Sequence, residues 1–251
     1  MNSSNSFFSN IPVVTKNLII INVIIWLASV VLPSHNGIDL VRYGGLHYIT
    51  SPYFNPAQVI TYMFLHGGFV HLFFNMFALF MFGITLERVL GPKRFLFYYI
   101  SCGIGAALIQ LGVYAIMINH WSQYLTEPEV MLQYINDNGA EAISHRMNFI
   151  DPYMAKINAL INVPTVGASG ATYGVLLAFG VIFPNRPIYL MFIPIPIKAK
   201  WFVMGYGTLE LLEGLYNSGD GIAHFAHLGG MLFGLIMILY WKRKGMFNGY
   251  Y

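Results

Sequence analysis

Apolar residues in this chain come in long uninterrupted runs rather than in the strict alternation of a half-buried sheet, and the charges gather between the runs. A helix that crosses a bilayer needs about 20 mostly apolar residues. The first such run is Asn17–Leu32, ending at Pro33. A charge-free stretch follows, Tyr43–Leu86, too long for one crossing and broken by Pro52, Pro56 and Gly67-Gly68. Its first part, Gly44 to about Gln58, reads as a loop, and a span is predicted at His66–Leu86. Further spans are predicted at Phe95–Asn119, Ala168–Phe183 (stopped by Pro184 and Pro187), Trp201–Tyr216 and Ile222–Trp241. The pattern thus predicts an all-α membrane protein, one six-helix unit over residues 1–251 with short tails at 1–16 and 242–251. The polar segment of about 120–156 stands apart. Apolar positions at Val130, Met131, Tyr134, Ile135, Ala142 and Ile143 predict short amphipathic helices there, lying on the outer surface or capping the bundle.

Composition narrows the class further. Hydrophobic residues make up 57% and charged residues 9%, against roughly 25% charged in soluble domains, so water cannot face most of this surface. The lone Cys102 excludes a disulfide framework. A net charge of +3 without a dense basic block excludes a nucleic-acid partner. The charges also orient the chain. Lys16, Arg88, Lys93, Arg94, Arg186, Lys198, Lys200, Lys242, Arg243 and Lys244 fall on one side of the predicted spans. The other side holds Arg42, Arg146 and Lys156 among Asp39, Glu127, Glu129, Asp137, Glu141, Asp151 and Asp220. This asymmetry predicts cytoplasmic N- and C-termini. The first run has a short basic start and Leu27-Ala28-Ser29, as a cleaved leader does. It continues past Ser29 to Val30-Val31-Leu32, which argues for a retained span.

Polar side chains within spans are costly and therefore point to function. Ser169 lies in Val166-Gly167-Ala168-Ser169-Gly170 at the outer start of the fourth span, its hydroxyl uncrowded by side chains. The N–H groups of a helix start would face any negative charge developing there. Alone, the motif reads first as a small-residue packing patch, with Gly170 and Gly174 on one face, and only second as a nucleophile. His227 lies in Ala226-His227-Leu228-Gly229-Gly230, with Gly230 and Gly234 on its own helix face. Such a stripe lets the sixth span pack closely on the fourth and brings the imidazole to Ser169, as a serine nucleophile requires. A structural histidine bonded to a backbone carbonyl is the bland alternative. His71 and Asn75 share a face of the second span and offer two donors for an oxyanion, or an interhelical bond pair. Glu210 and Glu213 in the fifth span receive no chemical role, and no carboxylate has an evident position to orient His227. A serine hydrolase built here is therefore expected to use a Ser-His dyad, with Tyr173 stacked on the imidazole.

Together these groups resemble the rhomboid family of intramembrane serine proteases, and the likeness covers nearly the whole chain. Gly167-Ala168-Ser169-Gly170 matches the family's Gly-x-Ser-Gly, which implies Ser169 as nucleophile, and Tyr173 matches the tyrosine that follows it. Ala226, His227, Gly230 and Gly234 match its Ala-His-x-x-Gly-x-x-x-Gly, implying His227 as general base and acid. In the alternative register His224 would have His227 where the glycine belongs, which leaves His224 a supporting place. His71 and Asn75 match its His-x-x-x-Asn and are implied as oxyanion stabilisers. Met63-Phe64-Leu65-His66 fits the family pattern too, and Glu87-Arg88 fits loosely. The Trp-Arg pair that many members carry in the first outer loop is absent, with Ala57-Gln58 in its place.

The resemblance implies a multi-pass protein of the bacterial inner-membrane type with its site toward the extracytoplasmic side. Its partners would be the lipid bilayer and transmembrane protein substrates with small or helix-breaking residues. It implies no cofactor and no metal. The fifth span, with Pro194 and Pro196 at its entry, is the expected gate. Two other readings stay open: a catalytically silent rhomboid-like binder, and a transporter or metal-binding protein using His66, His71, His224 and His227.

Overall fold

The computed structural model describes residues 10–190, 193–216 and 223–247. Ile222, the predicted start of the sixth span, Asp220, and the tail residues 1–9 and 248–251 lie outside them. The described elements run α1 (Val13–Asn36), α2 (Leu40–Gly44), α3 (Gln58–Thr61), α4 (Phe69–Ala78), a π-turn (Leu79–Gly83), α5 (Ile84–Leu90) and α6 (Pro92–Ser122). They continue with α7 (Pro128–Ser144), α8 (Pro152–Asn162), α9 (Ser169–Ile182), β1 (Pro187–Leu190), β2 (Ile193–Lys198), α10 (Ala199–Tyr216) and α11 (His224–Arg243). Among the described residues, four helical stretches are long and apolar enough to cross a membrane: Val13–Pro33, Phe69–Leu90, Pro92–Ser122 and His224–Arg243.

The predicted span at Ala168–Phe183 is α9, of 14 residues. At 1.5 Å per residue it measures about 21 Å, some 9 Å short of a typical hydrocarbon core. It is wrapped by its neighbours. Gly170 through Thr172, Gly174 through Gly180, and Ile182 are all buried, among α4, the π-turn, α6, α10 and α11.

Small residues set how tightly these helices approach. A methyl group built on Gly230 of α11 would fall 1.9 Å from the Gly170 carbonyl oxygen of α9, so the two backbones touch. One on Gly174 would fall 2.5 Å from Cys102 Sγ, and one on Gly234 would fall 2.3 Å from the Tyr98 hydroxyl. That hydroxyl donates to the Gly174 carbonyl at 2.6 Å, tying α6 to α9. The stripe predicted for the fourth and sixth spans is therefore the seam along which they meet.

Three expectations need correction. Helix α1 does not stop at Pro33 but carries it into its last turn and ends at Asn36, before the left-handed Gly37; a proline there forfeits a single backbone bond close to the helix end. Between α9 and α10 the chain forms an antiparallel hairpin, β1 with β2, so the described chain is not purely helical. Its sequence signal is the period-two run Ile193-Pro194-Ile195-Pro196-Ile197. The amphipathic helices of the polar segment are longer than short, and the second extends beyond residue 156 to Asn162.

Those two helices close over one end of the bundle. Leu125, Ile135, Ile157 and Ile161 form their buried centre, with Tyr48 and Trp121 packed against it. A polar ladder fixes α8 to the first loop and to the turn that precedes the helix. Ser51 Oγ donates to Asn162 Oδ1 at 2.8 Å, Asn162 Nδ2 to Asn158 Oδ1 at 2.8 Å, and Asn158 Nδ2 to Asn148 Oδ1 at 2.9 Å. At the other end Glu87 caps α1. Its carboxylate accepts from Val14 N at 2.9 Å, Thr15 N at 2.7 Å and Thr15 Oγ1 at 2.8 Å. Gln58 holds the first loop together. It is buried, accepts from His47 N at 3.2 Å, and donates to the carbonyls of Tyr43 at 2.9 Å and Tyr53 at 2.7 Å.

Candidate active site

The approach to Ser169 is fixed from both sides. Before it, Leu46 and Thr165 exchange backbone bonds of 2.9 Å in each direction, and Gly167 N donates to the Tyr62 carbonyl at 3.0 Å. Gly167 takes φ +131°, which an L side chain resists. A methyl group there would also fall 2.7 Å from His71 Nε2 and 3.5 Å from Ser169 Oγ. Only glycine lets imidazole, hydroxyl and backbone share this spot. After it, α9 begins, and its first backbone bond is Thr172 N to the Ala168 carbonyl at 2.9 Å. The N–H groups of Ser169, Gly170 and Ala171 therefore precede the helix's own ladder.

Ser169 Oγ and His227 Nε2 stand 2.8 Å apart, across the Gly170–Gly230 contact. The Tyr173 ring lies flat on the imidazole, with centroids 4.3 Å apart and planes within 3°. His71 and Asn75 are one turn apart on α4, and Asn75 Nδ2 donates to the His71 carbonyl at 3.0 Å. All five residues line one cavity of about 1470 Å³. Its lining includes Phe74, Phe77 and Met81 of α4 and the π-turn, and Phe202 and Tyr206 of α10. Trp121 and Lys156 stand at its capped end, the ammonium 3.9 Å from the indole centre.

One neighbour of the site was not foreseen. Glu210 reaches in from α10 and takes three donors: its Oε2 accepts from His227 Nδ1 at 2.8 Å and from His224 Nδ1 at 2.7 Å, while Oε1 accepts from the Tyr173 hydroxyl. The expectation that no carboxylate meets His227 is thereby corrected. Sequence held a signal for it. Val203, Gly207, Glu210 and Gly214 recur at the spacing of one helix face, and Gly207 and Gly214 abut Met231, His224 and Phe225. Glu213 lies off that stripe.

The histidines do not gather into one ligand set. His66 packs edge-on to His71 with centroids 5.0 Å apart, and His224 to His227 at 6.3 Å, as two pairs. Among the described residues the donors that could hold a metal ion are Glu210, His224 and His227, within 4.8 Å of one another. Their 2.7–2.8 Å separations from the carboxylate are hydrogen-bond lengths. Two ligands on a shared tetrahedral zinc stand about 3.3 Å apart, so this geometry suits proton-sharing better.

Comparison with known proteins places this site in context. Residues 54–244 match the model of the Rhomboid domain. Rhomboid protein 1, mitochondrial, of Saccharomyces cerevisiae is 28% identical over 75% of this chain and 42% of its own length. RHOMBOID-like protein 12, mitochondrial, of Arabidopsis thaliana is 28% identical over 76% of the chain and 47% of its own length. Rhomboid protease AarA of Providencia stuartii is 27% identical over 90% and 72% respectively. The chain thus spans less than half the length of the two mitochondrial relatives.

Proposed function

The chain belongs to the rhomboid family, and on that premise we propose that it is an intramembrane serine endopeptidase cleaving membrane proteins in or beside their transmembrane segments. The observation that carries this reading is the 2.8 Å pair of Ser169 Oγ and His227 Nε2, opening onto a large cavity within a multi-pass membrane bundle. A hydroxyl at that distance from an imidazole nitrogen can lose its proton as it attacks.

In the proposed reaction Ser169 Oγ attacks the substrate carbonyl carbon while His227 Nε2 takes the hydroxyl proton. His71, Asn75 and the N–H groups at the start of α9 receive the oxyanion, each donor contributing about 3–4 kcal/mol in the best-studied cases. His227 then hands its proton to the leaving amine, and water releases the acyl group by the same steps in reverse order. Tyr173 orients the imidazole by stacking. Hydrolysis needs water within a dry medium, and a cavity lined by Ser169, His71, Asn75 and His227 suits its entry. Small or helix-breaking residues in the substrate would expose the carbonyl that a stable helix hides.

The proposed topology has six crossings, with the short α9 and the less apolar α10 completing the four longer ones, in one unit over residues 1–251. Ten of thirteen Lys/Arg on one side favour cytoplasmic termini and a site opening away from the cytoplasm, as in a bacterial inner membrane. Substrate would enter between α4 and α10, both of which contribute residues to the cavity lining.

The test compares wild type with Ser169→Ala in detergent, using a single-span substrate and a fluorophosphonate label. Cleavage and labelling by wild type, both lost in Ser169→Ala, is the expected result. If neither occurs and a chelator instead shifts thermal stability, then Glu210, His224 and His227 are metal ligands and the protease reading fails.

A further inference from the structure

The mechanism above leaves Glu210 without a task, although its carboxylate is nine-tenths buried against the base. Burying a carboxylate is costly unless donors surround it. Here the donors come from two neighbouring helices, Tyr173 from α9 and both imidazoles from α11. With Glu210 ionised the carboxylate only accepts, and each imidazole then carries its proton on Nδ1. For His227 this leaves the Nε2 lone pair facing the Ser169 hydroxyl, the tautomer that a general base needs. The same contact acts later in the cycle. When His227 takes the serine proton, the resulting imidazolium finds an anion already 2.8 Å from its other nitrogen.

Resting on the protease reading, we propose that Glu210 is a positioning residue for His227, a third member that fixes the imidazole's tautomer and balances its charge, so that this chain works with a Ser169–His227–Glu210 triad. The other role open to this carboxylate is to hold α10 against the bundle. α10 buries only Ala199, Val203, Glu210 and Gly214 among its described residues, so both roles draw on the same bonds, and the experiment must separate them.

Wild type, Ser169→Ala, Glu210→Gln and Glu210→Asp are compared for kcat, KM, label rate and thermal midpoint. A triad predicts that Glu210→Gln lowers kcat by about 10²–10⁴-fold, with KM within threefold and the midpoint unchanged. Glu210→Asp keeps the charge on a shorter arm and should regain at least tenfold. A Glu210→Gln enzyme with kcat within threefold of wild type overturns the proposal. So does a loss of activity that simply follows a lowered midpoint. Should Glu210→Gln fail to fold, the wild type decides. In ¹⁵N-histidine-labelled protein, with His227 assigned by difference against His227→Gln, an Nδ1-protonated ring supports the proposal and an Nε2-protonated ring overturns it. A wild type that neither cleaves nor labels would count against the protease reading itself. An active wild type with an indifferent Glu210→Gln would sink the triad alone.

Discussion

Gly230→Ala tests whether the distance between nucleophile and base is set by backbone contact between α9 and α11. The added methyl would lie 1.9 Å from the Gly170 carbonyl oxygen and 2.6 Å from its carbon. An ordinary carbon–oxygen contact is about 3.3 Å, so the helices must part by about 1.4 Å at this point. Ser169 adjoins Gly170, and His227 lies one turn from Gly230, so the displacement falls on the 2.8 Å bond between them. It would stretch to about 4 Å, beyond hydrogen-bonding range. A misplacement of this size costs about 100-fold in rate, or about 2.7 kcal/mol in the barrier. Overpacking should also destabilise the fold by about 1–3 kcal/mol. The assay is kcat on the single-span substrate, read beside the thermal midpoint. Gly112→Ala is the control, since a methyl group there meets nothing within 4 Å. A Gly230→Ala protein that cleaves within threefold of wild type would refute the argument, because the seam would then not govern the pair.

Two further outcomes follow from the first loop. Gln58→Ala removes three bonds of a buried side chain, to His47, Tyr43 and Tyr53, and should destabilise by about 2–4 kcal/mol, read as a lowered thermal midpoint; an unchanged midpoint would mean the loop is held elsewhere. Burial holds the His47 imidazole below its ordinary range, so the unfolded chain binds a proton that the folded chain refuses. Stability should therefore fall as pH drops below about 6.5, and His47→Gln should flatten that slope in thermal scans at pH 5 to 8.

The parts of the site legible in the sequence were those written as local pattern. A serine between glycines, and a histidine sharing a helix face with Gly230 and Gly234, declare both a chemistry and a close approach. Tyr173 follows from the same helix register. Glu210 was harder because it lies on a helix whose rotation no neighbour fixes in sequence. Glu210 and Glu213 look alike until Gly207 and Gly214 are recognised as the contact stripe. The hairpin at Pro187–Lys198 was obscured by its prolines, which read first as helix breakers and only second as spacers in an alternating strand. Helix ends were blurred for a related reason: packing of Trp121 against the α7–α8 cluster carries α6 on to Ser122.

The hairpin also sets a mechanical condition on the base. Its closure is backed by Ala199 N bonding the Arg186 carbonyl at 2.9 Å and Lys200 N the Pro184 carbonyl at 3.1 Å, so α10 is pinned at its first residue. Glu210 lies eleven residues farther along, a lever arm of about 17 Å. A tilt of only about 10° about the pin would sweep the carboxylate through about 3 Å, enough to part it from His227. A tilt of that size would part the proposed triad at its carboxylate end, and a return of the helix to its pinned position would restore it.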